Sequence, residues 1–146
     1  MQLSNGSIII SNLLLDKPNN YLIYESESYH YCGFIYNKDD IDYLCCSSSN
    51  GKVSIWDLYT QKIFKVINIF NYERLYNIIQ WNDRYCIIAG SLSSIIIIDL
   101  VIYKVISIIK DKDINDIMCV KKIKHPKYGE VLFTLAKENM IKLWIV

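Results

Sequence analysis

Several kinds of chemistry are missing from this chain, and their absence narrows its function before any motif is read. There is no Gly-x-Ser-x-Gly elbow, no glycine-rich phosphate loop and no pair of histidines at metal spacing, which leaves the common nucleophilic, phosphoryl-transfer and zinc-hydrolase signatures unrepresented. Only two histidines occur, His30 and His125. No Cys-x-x-Cys is present among the five cysteines, Cys32, Cys45, Cys46, Cys86 and Cys119. An odd, unspaced set reads as reduced thiols of an intracellular, cytoplasmic protein, without a metal or other cofactor. Two prolines and five glycines in 146 residues leave no room for a long flexible linker. A net charge of +1 gives no bulk electrostatic hold on nucleic acid and argues against it as a partner. The longest apolar stretch, 95–109, is interrupted by Asp99 and Lys104 and is shorter than the roughly 20 apolar residues of a membrane-spanning helix.

What is abundant is apolar and aromatic residue, at 52% and 13% of the chain, the composition of a folded core. The run 95–98 is Ile throughout. β-Branched residues with short polar punctuation on both sides favour a strand over a helix. Apolar character on both faces of that strand requires a cover on each side.

The central stretch is SSNGKVSIWDL, residues 48–58. Asn50-Gly51 between two strand-like runs is a hairpin signal, with both turn positions expected at positive φ. The pattern recurs. Ser4-Asn5-Gly6 repeats Ser49-Asn50-Gly51 at an offset of 45, Ile98-Asp99 stands for Trp56-Asp57 at 42, and Trp144 follows Ile98 at 46. Strands are expected at 29–36, 41–47, 52–58 and 62–69, then at 75–81, 85–90, 94–100 and 104–109, then at 117–124, 130–135 and 140–146, with a shorter pair near 7–13 and 21–24.

A hairpin-bearing period in the low forties with a Trp-Asp strand ending resembles the WD-repeat β-propeller family. The resemblance implies an all-β fold of antiparallel four-stranded blades, here incomplete at about three to three and a half blades. Its divisions are a partial blade at 1–24, blades at 25–69 and 70–109, and a partial blade at 110–146. Trp56, Asp57, Asp99 and Trp144 are the structural repeat residues it implies. The family's Gly-His dipeptide is missing, with Glu27, Tyr72 and Asp113 near the expected His positions. Trp56 is then left with Ser47 or Ser48 as an indole partner.

The function implied is a non-catalytic interaction platform for other proteins or peptides, helping to assemble a multiprotein complex. Further propeller repeats, from the same or a partner chain, would complete the ring. The loops that join fourth to first strands and second to third strands converge on one rim in that family. Tyr29, Tyr72 and Arg74 are the rim residues expected to touch a partner, because Tyr and Arg dominate binding hot spots. An alternative is an acidic ligand, phospholipid head group or nucleic acid held by Lys121, Lys122, Lys124 and Lys127. His125, next to Pro126, is expected to serve a turn, and His30 to pack beside a strand start.

Overall fold

The structure, a computed structural model, describes residues 7–11, 20–24, 28–71, 73–91 and 93–145, the first two segments by their backbone pairing alone. Every regular element among them is a strand. β1 (Ser7–Ser11) pairs antiparallel with β2 (Asn20–Tyr24). A four-stranded antiparallel sheet follows, in chain order β3 (His30–Lys38), β4 (Ile41–Ser48), β5 (Lys52–Asp57) and β6 (Lys62–Asn68). A second has β7 (Asn77–Gln80), β8 (Tyr85–Ala89), β9 (Ser94–Asp99) and β10 (Lys104–Lys110). A third holds β11 (Ile117–His125), β12 (Gly129–Ala136) and β13 (Ile141–Ile145). All are open sheets of sequence-adjacent strands, placed within one or two residues of where alternation puts them. The side chains of β1 and β2, with Glu27, Tyr72 and the Ser4-Asn5-Gly6 turn, lie outside the described residues.

Sheets stack in chain order, and their contact is concentrated on the first strands: β7 lies against β3 and β4, and β11 against β7 and β8. Period-two alternation then assigns each face. Cys45, Val53 and Ile55 of the β3–β6 sheet meet Cys86, Ile88 and Ile98 of the β7–β10 sheet. On the other face, Ile87, Ala89 and Ile95 meet Val120 and Leu132, with Trp144 packed beside them. The middle sheet is thus covered twice, which is why the all-Ile stretch 95–98 has no polar alternation. Each fully buried Ile contributes on the order of 1.5–3 kcal/mol. Apolar contact therefore outweighs the few polar links between sheets.

Those links are regular. Leu75 N–H donates to Ser48 O at 3.0 Å, and Ile117 N–H donates to Gly90 O at 3.1 Å, the same backbone staple repeated one sheet later. At Gly90 a Cβ would lie 2.2 Å from Arg74 O, so the approach needs glycine. Lys142 of β13 pairs with Asp111, just past β10, and that ammonium is the largest influence holding the Asp111 carboxyl below its ordinary range.

Turn chemistry departs from expectation in one place. Of Asn50 and Gly51 only Gly51 has positive φ, +75°, the pattern of a three-residue loop ending in the left-handed region. The two-residue turn with both φ positive is instead Asp39-Asp40, at 53° and 61°. Asp57 and Asp99 act alike. Asp57 Oδ1 accepts from Tyr59 N and Thr60 N at 2.8 and 3.0 Å, and Asp99 Oδ1 accepts from Val101 N and Ile102 N at 2.8 and 3.2 Å. Each caps a turn whose last residue, Gln61 or Tyr103, sits at φ +56°. The cap is the local reason for an Asp at the end of the third strand.

The expected indole partner is corrected by the register. Leu44 faces Trp56 and Leu132 faces Trp144, so Cys46 occupies the position of Thr134. Trp144 Nε1 donates to Thr134 Oγ1 at 3.0 Å. Trp56 Nε1, in a side chain only 3% exposed, has no acceptor. Ser47 Oγ is engaged with Cys32 O at 3.3 Å, and Ser48 Oγ sits 2.6 Å from Asn50 Oδ1. In the middle sheet the equivalent pair is Ile98 with Ile88, both buried.

Trp56→Ala should lower stability by roughly 3–5 kcal/mol, and a loss under about 1 kcal/mol in a urea melt would contradict the burial of this indole against its sheet. Cys46→Ser should raise stability by about 1 kcal/mol by supplying the acceptor that Thr134 supplies to Trp144. The same change in a Trp56→Phe background should gain nothing, which a double-mutant cycle reads directly.

Acid provides a separate check. Burial raises the Asp99 pKa, but the Arg84 hydrogen bond at 2.8 Å and the turn amides outweigh it and leave it lowered. Asp57 is lowered chiefly by the Thr60 backbone N–H. A depressed carboxylate adds stability that is present above its unfolded pKa and lost as pH falls through the folded one. The melting temperature should therefore fall as pH drops below the ordinary carboxylate range, about pH 4, and Asp99→Asn, which keeps an oxygen for the turn, should show a shallower fall.

Candidate interaction surface

One rim of the stack is built by repeated backbone clasps. Ser49 N–H donates to Tyr29 O at 2.8 Å, and Tyr29 N–H donates to Ser49 Oγ at 3.1 Å. Ser91 N–H donates to Arg74 O at 2.9 Å, and Arg74 N–H donates to Ser91 Oγ at 3.1 Å. In the last sheet Lys137 N–H donates to Asp116 O at 3.0 Å. Each clasp ties the residue entering a first strand to the hairpin between second and third strands. Two loops distant in sequence are thereby fixed together, and the backbone beneath each entering side chain is held on both sides.

Tyr29 and Arg74 occupy equivalent positions in consecutive sheets. Tyr29 is 47% exposed, and Arg74 is exposed. Tyr72, the third residue expected on this rim, lies outside the described residues. Beside Arg74, Ser91 Oγ donates to Glu73 Oε2 at 2.6 Å, so the serine serves the clasp and the carboxylate together. Asn115 Nδ2 donates to Glu138 Oε1 at 2.6 Å on the same side of the last sheet, the main influence lowering the Glu138 pKa.

Three rim residues escape the sequence reading. Tyr31 falls where the β3–β4 register shifts between His30 and Cys32, and Met118 falls where the β11–β12 register shifts between Ile117 and Cys119. A bulge turns the extra side chain out of the ladder, leaving Tyr31 37% and Met118 43% exposed. Tyr76, just before β7, packs its ring against Tyr31 with centroids 5.6 Å apart. Bulges depend on pairing, so composition alone carries no sign of them. The shared serine of the clasps, Ser49 and Ser91, is the visible trace, since both lie at the same place in the repeat.

The opposite rim is aromatic. Rings of Phe34, Tyr36, Tyr43, Phe64 and Tyr103 follow one another at centroid separations of 5.0–5.9 Å. Lys38 Nζ donates to Tyr103 OH at 3.0 Å and lies 4.6 Å from that ring's centre. Burial is the first cause of the raised Tyr36 and Tyr43 hydroxyl pKa values. The run crosses the interface between two sheets and belongs to their packing.

The four lysines do not form one patch. Lys121 and Lys122 are neighbours on a strand and point to opposite faces. Lys122 Nζ donates to Trp81 O at 2.8 Å and pairs with Glu130 Oε2 at 2.9 Å. Lys127 lies over the Tyr128 ring, 5.1 Å from its centre. His125 Nδ1 accepts from Lys127 N and Tyr128 N at 3.1 and 3.3 Å, the turn-capping role expected of it. His30 is half-buried at the start of β3. Cys45 and Cys86 are fully buried between two sheets, and contact with Cys86 is the first cause pushing the Cys45 thiol up. Among the described residues no three His, Cys, Asp or Glu side chains converge as metal ligands, and no helix is long and apolar enough to cross a membrane.

The surface therefore offers rigidly mounted aromatic, arginine and methionine side chains, a chemistry of contact and hydrogen bonding. Comparison with protein-family models and with curated proteins finds no match for this chain.

Proposed function

We propose that the chain is an arc of WD-repeat-type propeller blades serving as a non-catalytic platform that holds other proteins in an intracellular complex. The observation that carries this reading is the clasp. Ser49 with Tyr29, and Ser91 with Arg74, use the same pair of hydrogen bonds in two consecutive sheets. A hairpin with a free tip would lose affinity by ordering its loops on binding. A clasped rim presents Tyr29 and Arg74 already ordered, which reduces that cost.

The rest of the geometry supports the same reading. First strands lie side by side while the outer strands carry the exposed charges and aliphatics, as in a disc of blades around an axis. Buried cysteines with no disulfide fit a reducing compartment. The rim would supply a partner with aromatic stacking, a guanidinium and apolar contact, and binding would be set by a few anchors near its centre.

Affinity capture with the full chain as bait, followed by mass spectrometry, tests the platform. Tyr29→Ala combined with Arg74→Glu should remove the specifically captured proteins while leaving the thermal melt within about 1 °C of the parent, because both side chains point outward and the clasps use backbone atoms. Recovery of the same proteins at the same yield would move the interface off this rim.

A further inference from the structure

We infer that Asn50-Gly51 is a deamidation site built into the clasped rim: the native turn holds the reaction back, and its product opens the Ser49–Tyr29 clasp. The chemistry needs only these two residues and water. The Gly51 backbone nitrogen attacks Asn50 Cγ, its proton passes to the side-chain nitrogen, and ammonia leaves a five-membered imide. Water then opens the imide at either carbonyl. One product is an aspartate, and the other an isoaspartate whose main chain runs through the former side chain. Attack is easiest where the following residue has no side chain to shield its nitrogen.

Glycine stands at position 51 because of packing. The same step of the other two hairpins is filled by Ser93 and Asn139, at φ 53° and 60°, so the left-handed turn does not by itself demand glycine. At Gly51 a Cβ would lie 2.1 Å from Phe70 O and 3.3 Å from Glu73 O. The turn is pressed against the 69–73 connection too closely for any side chain, and that approach puts the reactive pair on the rim. In the last hairpin Asn139 precedes Met140, whose side chain obstructs the same attack.

The same packing restrains the amide. A three-residue loop of this kind opens with a type I turn, which leaves its second central residue, here Asn50, at ψ about 0°. The imide ring contains the Asn50 Cα–C bond, so closure requires that bond to turn well away. Turning it would displace Gly51, whose carbonyl accepts from Ile69 N and Phe70 N at 3.0 and 3.2 Å. Ser48 Oγ donates to Asn50 Oδ1 at 2.6 Å and holds the carboxamide itself. Cyclisation therefore proceeds from a locally opened turn, and its rate falls with the population of that state.

The isoaspartate does not fit back. Its main chain is longer by a methylene, so Gly51 has to leave its seat under Phe70 O. Ser49, next in the chain, is then drawn off Tyr29, whose N–H and carbonyl are both bonded to it. The rim thus carries a one-way clock, whether or not a partner binds there.

Ageing the full chain at mildly alkaline pH, in native buffer and in urea, with peptide mapping by mass spectrometry, tests this. Asn5-Gly6, the chain's other Asn-Gly pair, is read separately by the same map. The unfolded chain should convert Asn50 to aspartate and isoaspartate. The folded chain should do so at least about tenfold more slowly, the factor that about 1.4 kcal/mol of local opening imposes. In the separated isoaspartate fraction, hydrogen exchange at the Ser49 and Tyr29 amides should be faster than in the fresh chain. Asn50→Asp, which keeps the ordinary backbone, should leave both amides protected. Equal rates in folded and unfolded chains overturn the proposal, as does an unfolded chain unconverted at Asn50. So does an isoaspartate fraction with its clasp still protected, or a clasp opened equally by Asn50→Asp.

Discussion

Face-to-face burial of the β7–β10 sheet is the constraint on which the rest of this structure depends. Ile87, Ala89 and Ile95 point one way and Cys86, Ile88, Ile96 and Ile98 the other, and both sets are at most 2% exposed. A strand with two covered faces can have no polar alternation, so its side chains select a neighbour on each side. Those neighbours then fix where their own first strands lie. The backbone staples at Ser48 and Gly90 follow from that approach, because two sheets packed this closely bring Leu75 N and Ile117 N to the preceding sheet. Remove the apolar contact and the staples alone, at about 1 kcal/mol net each, would not hold the stack.

The three sheets answer one local problem in three ways. At the site of the third-strand Trp, the last sheet pairs an indole with a threonine, the middle sheet replaces both by isoleucine, and the first keeps the indole over a cysteine. A matched polar pair and a matched apolar pair each leave nothing unsatisfied. The mixed solution at Trp56 leaves a buried donor without an acceptor, a cost the surrounding apolar packing offsets. Asp57 and Asp99 show the reverse: the residue is kept and does the same work, because two turn amides need an acceptor in both sheets.

Rigid sheets have a consequence for the rim. The clasps transfer the order of the stack to the loops, so Tyr29 and Arg74 stand on fixed backbone at the same step of consecutive repeats. Paired with bulges that turn out Tyr31 and Met118, this builds a line of exposed side chains from elements more than forty residues apart in sequence. The opposite rim puts its aromatic rings to another use, filling the seam between two sheets.

Strand positions and the all-β class were legible in the sequence because period two, β-branched runs and polar turns are local properties. The repeat offset near 42 was legible for the same reason: each sheet is written once along the chain, and its strands pair with sequence neighbours. The capping role of His125 and the acceptor role of the strand-ending Asp also follow from residues close in sequence. Other features required the tertiary structure. Which serine or cysteine lies beside Trp56 depends on the β4–β5 register, which pairs Leu44 with Trp56 and so brings Cys46, not Ser47 or Ser48, beside the indole. That Lys122, and not Lys121, reaches Trp81 depends on which face the sheet turns to its neighbour. Whether Leu143 is covered depends on what stacks against the last sheet, which no residue within β13 specifies. Local pattern determined the strands, and packing between sheets decided which side chains meet.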